Sequence, residues 1–281
     1  MNRRVILISG CSSGIGKATA LHLIREGHQV YASGRKPEAM QMIQEAGGHV
    51  QEMDVTNNQQ MQDMLTRIMV DQGRIDALVN NAGYPVYGAV EDVTMQEAHK
   101  QFEVNLFGLA RLTQMVMPHM RKQGTGRIIN VSSMGGKMYT PLGAWYHASK
   151  YALEGWSDCL RLETAQHGIA VVIIEPGFIH TEFANRLVKP MLEASGRGAY
   201  AQMARAMANA TLKAYKRQNS SPPSKVATVI ALAIRTRKPH TRYVVGKMGR
   251  SMLTLRKLLT DRAFDKALLT KLSYNTKHHP Y

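Results

Sequence analysis

A tyrosine, a lysine and two serines have the residue types and spacing needed for proton-transfer chemistry. Tyr146 and Lys150 are four residues apart, so their side chains lie on one face of a helix. A phenol with a pKa of about 10 is a poor base at neutral pH, and a nearby ammonium lowers that pKa by stabilising the phenolate. Ser132 and Ser133 end an apolar run, and either hydroxyl can bond an oxygen on which charge develops. These residues predict acid–base chemistry at a polarised oxygen atom.

A glycine-rich stretch, residues 9–16 (SGCSSGIG), follows the apolar run of residues 5–8. Gly10 permits a tight turn, and Gly14 and Gly16 let a helix begin close to a ligand. The free N–H groups at the start of that helix suit a pyrophosphate, although a plain turn would have a similar composition. The candidate phosphate-binding residues are Gly10, Ser12, Ser13, Gly14, Ile15 and Gly16.

The end of the second predicted strand indicates which dinucleotide the site prefers. An acid there favours the ribose hydroxyl of NAD, whereas an arginine favours the 2′-phosphate of NADP. This chain has Arg35 and Lys36, and no acid before Glu38. The bidentate geometry of Arg35 suits a phosphate, so the sequence predicts NADP(H) over NAD(H). The alternative is that both basic residues simply open an exposed helix.

Short apolar runs alternate with longer segments of helical period, which predicts an open, doubly wound α/β sheet with helices on both faces. The runs are nearly continuous, as expected for parallel strands that are buried on both faces. Strands are predicted at residues 4–9, 28–33, 49–53, 75–80, 126–132, 169–174 and 241–245. Helices are predicted near residues 14–26, 37–46, 57–72, 94–122, 143–166 and 222–236.

Two segments depart from this alternation. Residues 181–225, the lid segment, lack a clear strand and are interpreted as a substrate lid, with a plain insertion as the alternative. Residues 247–281 form a predicted basic helical extension to a single catalytic domain over residues 1–246. Within it, residues 248–259 combine leucines with basic side chains at helical spacing. Contact with a membrane surface and simple packing on the domain both remain open.

The net charge of +16 is concentrated near the end of the chain. From residue 235 onward there are twelve Lys and Arg residues against two Asp residues, which together carry +10. Aromatic stacking residues do not interleave with this charge, so nucleic-acid binding is not favoured. Two distant cysteines and the lack of a long apolar stretch predict a cytoplasmic protein, with the inner face of a membrane as an alternative. The histidines have no metal-ligand spacing, and no metal is expected.

The glycine spacing G-x-x-x-G-x-G resembles the loop of the short-chain dehydrogenase/reductase family, with Ser9 in place of the usual threonine. Further motifs follow in the family's order: NNAG after the fourth strand, YHASK on a helix and PG after the sixth strand. The resemblance spans residues 4 to about 246 and implies a Rossmann-like, mainly parallel, seven-stranded sheet. The segments GCSSGIG, VYASGR, YHASKYALEG and KPHTRY are most similar to the 17β-hydroxysteroid and retinol dehydrogenase branch.

The resemblance also assigns roles to individual residues. Ser133 precedes Tyr146 by 13 residues, as in the family, which favours it over Ser132. Lys150 would also bond the cofactor ribose, and Asn105 would hold a water that links Lys150 to solvent. Further cofactor contacts are implied for Asp54 and Val55 at the adenine, for Asn81, Ala82 and Gly83 beside the backbone, and for Pro176, Gly177, Ile179 and Thr181 at the nicotinamide.

The resemblance implies an NADP(H)-dependent oxidoreductase that interconverts a carbonyl group and an alcohol, with Tyr146 as proton donor. An NADP(H)-binding sensor or scaffold without turnover is the alternative. Family members commonly associate through helices equivalent to 94–122 and 143–166, which implies a homodimer or homotetramer. An apolar steroid-, retinoid- or lipid-like substrate is expected from the apolar residues that flank the site, and the alternative is that these residues fill the core: Met134, Met138, Leu142, Phe178 and Phe183.

Overall fold

A computed structural model describes residues 3–272, which form seven strands and eleven α-helices. The strands are β1 (Val5–Ser9), β2 (Gln29–Gly34), β3 (His49–Glu52), β4 (Ala77–Asn80), β5 (Gly126–Val131), β6 (Ile169–Pro176) and β7 (Arg242–Val245). The helices are α1 (Gly14–Arg25), α2 (Gln41–Glu45), α3 (Asn58–Gln72), α4 (Met95–Phe102), α5 (Leu109–Gln123), α6 (Ala144–Thr164), α7 (Phe183–Ser195), α8 (Ala201–Tyr215), α9 (Pro223–Arg235), α10 (Gly249–Leu258) and α11 (Asp261–Lys271).

The strands form one sheet in the order β3-β2-β1-β4-β5-β6-β7, and every neighbouring pair is parallel. The chain therefore moves outward from β1 in one direction and then restarts at β4 in the other. The predicted doubly wound, seven-stranded sheet is confirmed. Its switch point lies between β1 and β4, where such sheets bind ligands at the carboxyl ends of the strands.

Alternate residues of β1 contribute to the two hydrophobic cores that lie on opposite faces of the sheet. Ile6 and Ile8 pack with residues of α1, α2 and α9 on one face of the sheet. Val5 and Leu7 pack with residues of α3, α5 and α6 on the other face. This period of two explains why the apolar run has no polar position, because each side chain meets a covering helix.

The predicted helix over residues 94–122 is interrupted in the structure. The chain forms α4, then a π-helical turn at Glu103–Gly108, and then α5. Gly108 is the last residue of this turn and packs against Val55. A Cβ at position 108 would lie 2.6 Å from the carbonyl oxygen of Val55. Side-chain periodicity does not reveal the inserted residue, because the apolar pattern continues on both sides of it.

The lid segment contains two helices, α7 and α8, which pack against each other and against the site. Leu187, Met191 and Met207 share a buried cluster with Tyr87 and Tyr146. The sheet ends at Val245, and α10 and α11 follow; residues 273–281 of the predicted extension lie outside the described residues. The domain boundary at residue 246 stays a prediction. None of the helices among residues 3–272 has the length and apolarity required to cross a membrane.

Candidate functional site

A cavity of about 500 Å³ opens at the carboxyl ends of the parallel strands. It brings together most of the residues predicted from the sequence, although they are dispersed along the chain. Gly16 and Asn105 stand directly behind its wall, beside Gly10 and Gly83 respectively. The predicted residues that line it are Gly10, Ser12, Ser13, Gly14, Ile15, Arg35, Asp54, Val55, Asn81, Ala82, Gly83, Ser133, Tyr146, Lys150, Pro176, Gly177, Ile179, Thr181 and Phe183.

The glycine loop adopts backbone conformations that only glycine accepts readily. Gly10 has φ of +74° and Gly14 has φ of +58°. A Cβ at Gly16 would collide with the carbonyl oxygen of Gly10. The first turn of α1 contains no acidic residue, and Ser13, its N-cap residue, makes no capping bond. The N-terminal amides of α1 therefore remain available to an anion.

The end of β4 fixes the loop in place. Asn81 Nδ2 donates hydrogen bonds to the carbonyl oxygens of Ser9 and Gly10 at 3.1 and 3.0 Å. In return, Ser9 Oγ accepts from the backbone N–H groups of Asn81 and Ala82 at 3.1 and 3.2 Å. Ser9, which stands where the family has a threonine, thus connects the end of β1 to the segment after β4 through its hydroxyl.

The end of β2 presents a basic rim to the same cavity. Arg35 and Lys36 are exposed and line it, next to Ser12. Gly34 lets the two segments meet, since a Cβ there would collide with Ser12 Oγ. Beyond β3, the Asp54 carboxylate accepts from the N–H and hydroxyl of Thr56 at 2.9 and 2.8 Å. The arrangement places two basic side chains and a hydroxyl together, which suits a phosphate.

Tyr146 and Ser133 meet at the inner end of the cavity. Tyr146 is 6% exposed and lines the cavity together with Ser133, whose hydroxyl is close enough to act on the phenol. Ser133 Oγ also accepts from the N–H of Gly135 at 3.0 Å, which fixes the hydroxyl at the start of the loop after β5. Ser132, the alternative from the sequence, has a buried hydroxyl without a hydrogen-bond partner among the described residues. Ser133 therefore stays the predicted partner of the phenol.

Lys150 and Asn105 flank the glycine that follows β4. Lys150 Nζ donates to the carbonyl oxygen of Val131 at 2.9 Å. Asn105, in the π-helical turn, bonds both backbone groups of Tyr84 at 3.1 Å and donates to Ser149 Oγ at 3.1 Å. A Cβ at Gly83 would lie 3.1 Å from Asn105 Oδ1 and 3.8 Å from Lys150 Nζ. The wide turn thus presents Asn105 to the base of the site.

Burial moves the pKa values of the tyrosine and the lysine in opposite directions. Desolvation raises the pKa of Tyr146 to about 12, and the Ser133 hydroxyl opposes this rise. Desolvation lowers the pKa of Lys150 to about 8, against the opposing charge of Glu154. The tyrosine pKa shifts opposite to the expectation from the lysine spacing, because removal from water is the largest effect on the phenol. Tyr146 therefore holds its proton at neutral pH.

The residues predicted to contact substrate divide into two groups. Phe183 lines the cavity, with its ring 5.6 Å from that of Tyr146. Leu142 packs in the same cluster as Tyr146, in a left-handed backbone conformation with φ of +63°. Met134 and Met138 pack instead with α10 and α11, together with Phe178. These three lie behind the cavity wall rather than on its surface.

Several lining residues were not identified from the sequence. Tyr215, at the end of α8, stacks on Phe183 with ring centroids 5.7 Å apart. Tyr87 does not line the cavity, but its ring centroid lies 5.7 Å from that of Tyr146, and its hydroxyl hydrogen-bonds His147 Nε2 at 3.3 Å. Arg186 of α7 also lines the cavity. The lid segment's loop-like composition gave no signal for Tyr215 or Arg186, because their placement depends on how α7 and α8 fold back.

The cavity fits a nicotinamide dinucleotide. The glycine loop forms a cradle that side chains would fill, beside uncapped helix amides and a basic rim. Residues 3–272 contain no group of three His, Cys, Asp or Glu side chains placed to hold a metal ion.

Comparisons with known proteins agree with this architecture. A family model described as short chain dehydrogenase matches residues 4–191. The 3-ketodihydrosphingosine reductase of Bacteroides thetaiotaomicron is 36% identical over 255 residues, which cover 88% of this chain and 90% of that protein.

Solved structures show the same fold over most of the chain. A short-chain dehydrogenase from Streptomyces avermitilis matches with a TM-score of 0.80 and 31% identity, covering 97% of both chains. The closed form of a serine dehydrogenase complexed with NADP+ matches with a TM-score of 0.75 and 25% identity, covering 86% of this chain and 94% of that one.

Proposed function

The chain belongs to the short-chain dehydrogenase/reductase family of oxidoreductases, and on that premise we propose that it is an NADP(H)-dependent carbonyl reductase or alcohol dehydrogenase. The observation that carries the proposal is that Ser133, Tyr146 and Lys150 line the same cavity as the glycine loop. A bound nicotinamide supplies the hydride in reduction and accepts it in oxidation.

In reduction, the Tyr146 phenol gives its proton to the carbonyl oxygen. The raised pKa keeps the phenol protonated at neutral pH, so the donor is in the required form. Ser133 Oγ orients and polarises that oxygen. Lys150 contributes positive charge and a ribose contact, and Asn105 connects it to a proton path. A protein that only binds the cofactor would not need this set, which disfavours the sensor alternative.

The preference for NADP(H) rests on the rim at the end of β2. Arg35, Lys36 and Ser12 surround the predicted position of the 2′-phosphate. Within residues 3–272, neither basic residue forms an ion pair with a carboxylate. Their charge is therefore available to a phosphate.

We propose an apolar substrate of the steroid, retinoid or lipid type. The aromatic rings of Phe183 and Tyr215 line the cavity next to Tyr146 and give this part of the wall an apolar surface. The similarity to a reductase named for 3-ketodihydrosphingosine supports a lipid-like carbonyl compound.

We also propose self-association into a homodimer or homotetramer in the cytoplasm, with peripheral membrane contact through the tail as an added hypothesis. Exposed apolar side chains on the helices expected to pair support association: Phe107, Tyr151 and Leu162. Leu258 of α10 is 76% exposed beside Lys257, which supports membrane contact. Light scattering of the purified protein and liposome sedimentation with and without residues 247–281 test the two ideas.

The central test is a coupled screen of NADPH and NADH oxidation over ketosteroids, retinals and long-chain acyl ketones. We expect turnover with at least one apolar carbonyl compound and a preference for NADPH. A preference for NADH would contradict the role given to Arg35. Tight NADPH binding without oxidation across the panel would favour the sensor alternative.

A further inference from the structure

Arg186 connects the lid segment to the glycine loop. It lies in the first turn of α7, and its Nη2 donates to Ser13 Oγ at 3.3 Å across the cavity mouth. The lid segment also approaches the loop just before α7, since a Cβ at Gly14 would lie 3.2 Å from Thr181 Cγ2. The guanidinium therefore stands beside the start of α1, although 173 residues separate it from Ser13.

The charge of Arg186 is not neutralised inside the protein. Among residues 3–272 no carboxylate forms an ion pair with it, and its side chain is exposed. Glu182 lines the same cavity, but its carboxylate accepts from Asn185 Nδ2 at 2.8 Å. An exposed guanidinium that faces uncapped helix amides and a serine hydroxyl is a combination that favours a phosphate.

We propose that Arg186 is a phosphate clamp, which binds the cofactor pyrophosphate from the lid side while the amides of α1 bind it from the sheet side. The inference rests on the proposed nucleotide-binding function and adds a residue to it. Because Arg186 and Phe183 belong to one helical turn, the clamp also draws the aromatic wall toward Tyr146. Cofactor binding and the position of the lid segment are thereby coupled.

The coupling explains why an arginine rather than a lysine is placed here. The planar guanidinium can bond two phosphate oxygens and still keep its contact with Ser13. The phosphate would add charge-assisted bonds to the weak 3.3 Å contact with Ser13. The lid segment thus gains affinity for the glycine loop only when an anion lies between them.

The test compares two ligands that share the 2′-phosphate but differ in the pyrophosphate: NADPH and adenosine 2′-monophosphate. For Arg186→Gln, we expect NADPH binding to weaken about 10-fold, measured by nicotinamide fluorescence or calorimetry. Binding of adenosine 2′-monophosphate should change by less than about 2-fold. Arg197→Gln, which removes an exposed arginine just after α7 and outside the cavity, is the matched control and should affect neither ligand.

Hydrogen exchange gives a readout that does not depend on turnover. NADPH should protect the amides of α7 in the wild type and in Arg197→Gln, and protect them much less in Arg186→Gln. Equal NADPH affinity in wild type and Arg186→Gln would overturn the clamp, as would equal weakening of both ligands. A wild-type protein that binds neither NADPH nor NADH would instead overturn the proposed function itself.

Discussion

At the scale of single residues, the chemistry depends on what burial does to two neighbouring side chains. Tyr146 and Lys150 are both almost fully buried, yet desolvation favours the neutral form of each. The phenol keeps its proton far above neutral pH. The ammonium has a pKa of about 8 and loses its proton as the pH rises through that value. The proton donor is thus robust to pH and its charged neighbour is not.

Replacement of the phenol isolates its chemical role. Tyr146→Phe should lower the rate of carbonyl reduction by at least about 100-fold, because no other lining group replaces the lost proton donor. NADPH affinity should stay within about 2-fold, since the aromatic ring remains. Single-turnover absorbance of NADPH and fluorescence titration measure the two quantities. Tyr151→Phe, at a half-exposed position on the same helix, is the control; retention of most activity in Tyr146→Phe would refute the mechanism.

The pH dependence of carbonyl reduction should follow the ionisation of Lys150. Lys150 is charged below a pKa of about 8, and its contribution is lost as the pH rises through that value. The reduction rate, measured as kcat/KM for the carbonyl substrate at saturating NADPH, should therefore be level near pH 7 and fall above about 8. The raised tyrosine pKa predicts no loss from Tyr146 in this range. A profile that stays level to pH 10 would contradict this assignment.

At the scale of elements, the C-terminal helices support the loop that carries Ser133. Phe264 of α11 is fully buried, with its ring 5.3 Å from that of Tyr139. Tyr139 Oη also donates to Asp265 Oδ1 at 2.9 Å. Met134 and Met138, on the same loop, pack into this cluster. The basic extension is therefore anchored to the site through its apolar side, whatever its charged side contacts.

Removal of the Phe264 ring tests whether this cluster holds the C-terminal helices in place. Phe264→Ala should lower the free energy of unfolding of the C-terminal helices by about 3 kcal/mol, because it leaves a cavity under α11. Limited proteolysis and hydrogen exchange of residues 249–271 should show the loosening. Leu258→Ala, on the exposed face of α10, should change neither measurement. Equal protection in Phe264→Ala and wild type would show that the cluster does not hold the helices.

A second element-scale feature is a pair of buried acids at the end of β6. Glu175 and Glu154 share the same two cations, since Arg242 and Lys137 each lie within 4.0 Å of both carboxylates. Burial raises the pKa of Glu175 to about 7, and the negative charge of Glu154 adds to this rise. Glu175 Oε1 makes no hydrogen bond among the described residues. The folded state therefore prefers Glu175 protonated.

The sign of this shift makes a pH-dependent prediction. Below the unfolded value of 4.5 the Glu175 carboxyl is neutral in both states. As the pH rises from 4.5 to about 7, the unfolded carboxyl ionises while the folded one stays protonated, so the folded state loses stability until both are ionised above about 7. Glu175→Gln should raise the free energy of unfolding by about 1–3 kcal/mol above pH 7 and change little below pH 4.5. Urea unfolding at several pH values measures this, with the exposed Glu163→Gln as control. A destabilised Glu175→Gln at pH 8 would mean that the pairing outweighs the burial.

At the scale of the whole molecule, the sequence predicts the features that follow from local patterns of residues. It does not predict the features that depend on contacts between distant segments. The strands and the glycine loop follow from local apolar runs and spacing, and the parallel sheet brings their ends together. The π-helical turn at Asn105 lacks such a signal, because the surrounding helical pattern is uninterrupted. A similar limit applies to Met134 and Met138. The sequence places them near the site, but the helix that packs against them, α11, is distant in the chain.

The same convergence of distant elements predicts how the whole molecule responds to its cofactor. The cavity is lined by residues that follow β1, β2, β4, β5 and β6 and by the start of α7, so a bound dinucleotide would link most of the sheet. NADPH at about 100 times its Kd should add about 2.7 kcal/mol to the free energy of unfolding. Because about 2–4 °C of Tm corresponds to each kcal/mol, Tm should rise by about 5–10 °C.

Differential scanning fluorimetry with equal concentrations of NADPH and NADH measures this response. NADPH should give the larger increase in the wild type and in Arg197→Gln. Arg35→Gln should bring the two increases together, because the 2′-phosphate loses its bidentate partner. An unchanged difference in Arg35→Gln would mean that the preference arises elsewhere on the rim, at Ser12 or Lys36, since these are the other polar side chains that line the cavity there.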